Sequence, residues 1–221
     1  MYKKISLIIR AAMVTTMLLQ ISCGEPSYKK STSNEVTIGK QVWMTENLNV
    51  DAFRNGDAIP EAKTYEEWRK AGQNKQPIWC YYDNDTNNGT KYGKLYNWYA
   101  VNDPRGLAPK GWHIPSDAEW NKLTFFLGGE HVAGEKMKST SGWQDSGNGS
   151  NDSGFSGLPG GNRNYGGPFS FYLIGFTGYW WSSTENNTSN AWLRLLNNKD
   201  GDVGRNEGNK GYGFSVRCLR D

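Results

Sequence analysis

Hydrophobic and polar positions alternate most clearly in the last third of the chain, where GYWWSST, AWLRLL and GYGFSVRCLRD are separated by segments rich in Asn, Gly and Asp. This pattern predicts three strands and two turns. In the last segment Phe214, Val216 and Cys218 fall on one side and Ser215, Arg217 and Leu219 on the other, as in a half-buried strand. In the middle segment Ala191, Leu193 and Leu195 oppose Trp192, Arg194 and Leu196, so both sides carry apolar mass. Consecutive Trp180 and Trp181 must point to opposite sides, which predicts one in the core and the other at the surface, with nearly all the tryptophans in the core as the alternative. Near the other end, Val36 to Leu48 alternates as a hairpin turning at Gly39-Lys40, with Val36 and Ile38 facing Val42 and Met44.

Between these blocks the helical period takes over. Ser116 and Glu119 form a capping box for a helix over Pro115 to Leu127, with Trp120, Leu123 and Leu127 on one face. Thr64 and Glu67 offer a second box, for a short helix through Trp68 and Ala71 that stops at Gly72. PIWCYYDNDTNNGTKYGKLYNWYAV, from Pro77, reads as a strand, an Asn/Gly/Asp turn and a second strand or extended segment. Residues 139–168 are dense in Gly, Ser and Asn but carry Trp143, Phe155, Leu158 and Tyr165, anchors that predict a packed loop instead of a linker.

The first residues change the picture from a plain domain to an exported one. Lys3, Lys4 and Arg10 precede and interrupt a mostly apolar run to Ile21, followed by Ser22-Cys23-Gly24. This predicts a lipoprotein signal peptide over 1–22, lipidation at Cys23, a polar tether over 23–34 and a domain over 35–221, although Gln20 stands where such signals usually have an apolar residue. An uncleaved anchor helix or an ordinary secretory peptide is the alternative. The run is broken by Arg10, Thr15, Thr16 and Gln20, which suits a permanent span poorly beside the roughly 20 apolar residues a bilayer requires. The expected address is the bacterial outer membrane, lipid-anchored, on its periplasmic face or at the cell surface.

Charge then narrows the partners. The whole chain has 25 Lys plus Arg against 22 Asp plus Glu, and the leader holds three of the basic residues and no acidic one, so the exported part is near neutral. No basic block remains to displace counterions from a phosphate backbone, which argues against nucleic acid. Cys80 and Cys218 are left once Cys23 is assigned to lipid; in an exported protein they predict a disulfide, with two buried thiols as the alternative.

Motifs for catalysis are sparse. His113 and His131 belong to no HExxH pair or Cys/His cluster, and no GxSxG, Walker or dinucleotide fingerprint is present. Asp83-x-Asp85-x-Asn87 and Asn198-x-Asp200-x-Asp202 resemble the opening of a calcium loop, but Asn88 and Val203 stand where the glycine belongs, and Lys94 and Asn209 where a Glu would close the site. Both read better as turns; no cofactor is expected, and calcium stays open through some other geometry. The ten tryptophans are the compositional outlier. Flat aromatic faces beside Asn, Asp and Arg suit sugar or protein recognition, which makes Trp181, Trp192, Arg194, Asp200 and Asp202 the candidate ligand-binding residues.

NLN, YGKLYNWYAV, GWHIPSDAEW, GSNDSGFSGLPGG, GYWWSST and GFSVRCLRD, in this order, resemble the Fibrobacter succinogenes major paralogous domain, common in bacterial lipoproteins. That family resembles the C-type lectin-like fold, and GWHIPSDAEW is similar to the R-L-P-T-E-A-E-W segment of formylglycine-generating enzymes, with GFSVR standing like their GFR. The resemblance implies an α+β domain with small antiparallel sheets, one or two helices, long ordered loops and paired N- and C-terminal strands. It does not carry catalysis, since the enzymes' copper-binding cysteines precede the final strand and Gly178 to Gly213 has none. The expectation is a non-catalytic envelope lipoprotein binding a glycan or an envelope or host protein. Alternatives are an enzyme on the related fold, either a degenerate oxidase or a polysaccharide hydrolase, and a structural or adhesive surface protein.

Overall fold

The computed structural model describes residues 34–164, 167 and 170–221. The expected signal peptide, Cys23, nearly all of the tether, and Tyr165 lie outside the described residues. Within them the chain forms an α+β domain of five α-helices and three sheets.

The opening hairpin pairs β1 (Glu35–Ile38) with β2 (Gln41–Met44) across a turn in which Gly39 has φ +62°. Its register sets Val36 opposite Trp43 and Ile38 opposite Gln41. Because directly opposed residues share a face, the buried side is Val36, Ile38 and Trp43. Val42 and Met44 point the other way, a one-residue correction to the expected facing. Next, α1 (Tyr65–Gln73) begins at the Thr64/Glu67 capping box, buries Trp68 and Ala71, and runs one residue past Gly72.

β3 (Trp79–Cys80) and β4 (Leu95–Tyr96) pair antiparallel, as the aromatic segment suggested. The residues between them are not a simple turn. Asp85 accepts from the Asn87 N–H and caps α2 (Thr86–Tyr92), while Lys94 is buried with its ammonium 4.3 Å from the Trp79 ring centroid. α3 (Trp98–Val101) and β5 (Trp112–His113) lead into α4 (Asp117–Phe126), which has the expected Ser116/Glu119 box and buries Trp120 and Leu123, with Leu127 at its end. An unforeseen helix, α5 (Glu130–Met137), follows Gly128-Gly129. In the long loop Trp143 and Phe155 are buried, as anchors should be.

β6 (Gly160–Arg163), β7 (Phe171–Ile174), β8 (Thr177–Glu185), β9 (Asn190–Asn197) and β10 (Gly204–Asn209) make a sheet of order β10-β9-β8-β6-β7. β8 and β9 lie where alternation placed them. β10 falls in GRNEGN, a segment without apolar alternation, and is held by its backbone ladder with β9. The final segment corrects the sequence reading most. Residues 213–219 are buried on both sides, bridging to Tyr96 at Phe214, to Arg163 at Gly213 and to Trp180 at Ser215. Only β11 (Leu219–Arg220) is regular strand, and it joins a four-stranded sheet of order β1-β2-β11-β5, so the C-terminal strand pairs with the N-terminal hairpin through β2.

Candidate functional site

Strand register sorts the central sheet into two faces. Tyr179 lies opposite Leu195, Trp181 opposite Leu193, and Asn206 opposite Leu193 on its other side, so these share one face with Gly208. Trp180, Arg194, Trp192 and Arg205 share the other. α4 covers that second face. Arg194 donates to Asp117 Oδ1 at 2.8 Å and Asn121 Oδ1 at 2.6 Å, and Arg205 donates to Asp117 Oδ2 at 2.9 Å. Burial alone would raise the Asp117 carboxyl, but hydrogen bonds from Arg205 and Arg194 outweigh it and hold the group below its ordinary value.

This arrangement redistributes the expected binding residues. Trp181, expected among the ligand-binding residues, is wholly buried, as is Trp180, because both faces of β8 meet core: Trp181 packs with Phe214 and Val216, Trp180 with Trp120 and Phe155. Arg194 is likewise buried, occupied by Asp117 and Asn121. Trp192 is half-buried and covered by the Arg205 guanidinium, 3.5 Å from its ring centroid. Asp200 and Asp202 sit in the β9–β10 turn, where Asp200 accepts from Asn197 and from the Asp202 N–H, and Asp202 meets His131 at 3.3 Å. His113 lies between Glu119 and Asp221. Among the described residues no group of three or more His, Cys, Asp or Glu is placed to hold a metal ion.

The expected Cys80–Cys218 disulfide is absent; both are free, buried thiols. Alternation along β3 explains it. Trp79 faces the Tyr96 side, which is also the core containing Cys218, so its neighbour Cys80 must point the opposite way, toward Trp68 and Leu95. Burial raises the Cys80 thiol to about 11 and the Cys218 thiol to about 12.

The first face of the sheet carries an open cleft of about 390 Å³. Tyr179 stacks on Phe214 with centroids 5.1 Å apart, Tyr212 meets Phe214 edge-on, and Trp181 supports it from below at 4.5 Å. Gly208 makes this floor, since a Cβ there would stand 2.8 Å from the Phe214 ring. Tyr172 and Leu173 of β7 form an exposed rim, and Asn162, Asn164 and Asn206 supply amides, with Asn162 Nδ2 donating to Asn164 Oδ1 at 3.0 Å. Among the described residues the lining contains no Lys, Arg or His. Its one acid, Glu207, has its carboxylate taken by Asn186 and Asn187. Sequence reasoning missed these residues. The signals were Tyr179 two places before Trp181, and the small-Asn-small alternation of Gly204, Asn206 and Gly208.

Together these features define a small α+β domain of interlocked sheets with an aromatic, amide-lined cleft on one face of its largest sheet. The chain belongs to the Fibrobacter succinogenes major domain family, whose model matches residues 36–220. A search of curated proteins finds no match.

Proposed function

We propose that this is a non-catalytic recognition domain, C-type lectin-like in fold, carried by a lipoprotein of the bacterial outer membrane, and that it binds a glycan or an envelope or host protein in the Tyr172, Tyr179 and Tyr212 cleft. The observation that carries the proposal is the cleft's chemistry: aromatic faces beside neutral amides, on a floor made rigid by Phe214 and Trp181. Leu173 adds support. It holds φ +66° while 46 % exposed, so a left-handed backbone that costs about 1–2 kcal/mol sets an apolar side chain at the rim of the cleft. The anchor rests on Ile21-Ser22-Cys23-Gly24 after an apolar run.

A binding screen of the exported chain on glycans and envelope fractions, with and without calcium, tests this reading. Tyr172→Ala and Asn206→Ala should each lose binding several-fold while keeping the fold. Binding unchanged in both variants would remove the cleft from consideration. For the anchor, Cys23→Ala should abolish palmitate labelling.

A further inference from the structure

Phe125, on the outer side of α4, is 85 % exposed and its neighbour Phe126 40 %. A single exposed apolar residue calls for no explanation. Here the two border a groove of about 670 Å³ between α4 and the β1–β2 turn, floored by Ile38. Phe126 closes on the turn because residue 39 is glycine: a Cβ there would come within 2.9 Å of the ring. Among the described residues the charged members of the groove are Lys40 and Lys122, and no carboxylate lines it. Apolar side chains ringed by lysines match the boundary between acyl chains and anionic headgroups.

Its place in the fold favours that partner. α4 covers one face of the five-stranded sheet and the cleft occupies the other, so the helix that carries Phe125 and the cleft lie on opposite sides of that sheet. The chain enters the domain through β1, whose far end is the Gly39 turn beside Phe126. Residues 24–34 can span at most roughly 40 Å when fully extended, and the Gly39 turn lies only the length of β1 from the point where the tether joins at Glu35, so the groove stays within reach of the bilayer surface. We infer that the Phe125, Phe126, Lys40 and Lys122 surface rests on the anionic membrane to which Cys23 is anchored, turning the cleft away from the lipid. The inference rests on the lipid-anchor reading above.

The test uses the lipidated full protein in vesicles of phosphatidylethanolamine with phosphatidylglycerol. Phe125→Cys and, as the opposite-face control, Tyr172→Cys are each labelled with an environment-sensitive fluorophore; Cys80 and Cys218 are buried and stay unlabelled in the native protein. The expected result is flotation with the vesicles, blue-shifted emission at position 125 and aqueous emission at 172. Adding Lys40→Glu and Lys122→Glu should reduce the blue-shifted fraction several-fold. Aqueous emission at 125 in floated protein overturns docking and leaves the anchor standing. A blue shift without vesicles also overturns it, assigning the surface to a second copy if it grows with protein concentration and to the chain's own N-terminal segment if it does not. Protein that fails to float refutes the anchor and the docking with it.

Discussion

Arg217 donates to the side-chain oxygen of Asn47 through Nε at 3.2 Å and Nη2 at 2.9 Å, tying the closing GFSVR segment to the NLN segment near the start of the domain. The same oxygen accepts from Trp180 Nε1 at 2.8 Å, and Arg217 further donates to the carbonyls of Met44 and Phe155. The guanidinium is wholly buried among neutral oxygens, and burial pulls it down to about 9. One side chain thus joins the opening hairpin, the long loop and the final segment.

Removing it should cost much more than a surface substitution. Arg217→Met leaves two buried carbonyls short of donors, and Asn47→Ala deprives a buried cation of its principal acceptor; each should lower stability by about 3 kcal/mol. Urea unfolding followed by tryptophan fluorescence measures this. A loss near 0.5 kcal/mol or below, the range of ordinary surface changes, would contradict the role assigned to the pair.

Trp180→Ala and Trp181→Ala should each destabilise by about 4 kcal/mol, since each leaves a cavity in a different core. Tyr172→Ala, at a side chain 44 % exposed, should stay within about 1 kcal/mol of the parent. Thermal unfolding of the three variants separates core from rim. Equal losses would mean that the rim of the cleft is itself structural.

Cys80 and Cys218 should be inert to alkylating reagent in the folded protein, because both are buried and their thiols titrate near 11 and 12. In denaturant both should react fully without prior reduction. Intact mass reads the count, and an absence of labelling in denaturant until reductant is added would establish the disulfide after all.

Asp117 supplies a pH dependence with a definite sign. Its folded value lies below the ordinary 3.8, so the stability it contributes is fully present above that value and is lost as pH falls through the lower folded one. Asp117→Asn should be less stable at neutral pH and show a shallower loss across the acid range. Urea midpoints measured from neutral to acid pH decide it; parallel curves for parent and variant would show that other carboxylates set the acid limb.

Local features were legible because their causes lie within a few residues. The Thr64/Glu67 and Ser116/Glu119 boxes, the Gly39-Lys40 turn and the alternation of β8 and β9 are all short-range, and each is found where the sequence places it. Alternation likewise put Trp180 and Trp181 on opposite sides. It could not say that α4 and the closing segment would cover both sides, which is why Trp181 and Arg194 are interior and the candidate site moved to Tyr172, Tyr179 and Tyr212.

By itself, then, the sequence determined the starts of α1 and α4, the opening hairpin, the two central strands and membership of the family. Tertiary structure alone decided that GRNEGN is a strand, that Cys80 and Cys218 face different cores, and that residues 213–219 are buried throughout. The reason is that a periodic pattern marks which residues share a face, whereas burial depends on what covers that face. In this chain the covering elements come from distant positions, Asn47 to Arg217 and Asp117 to Arg194 among them.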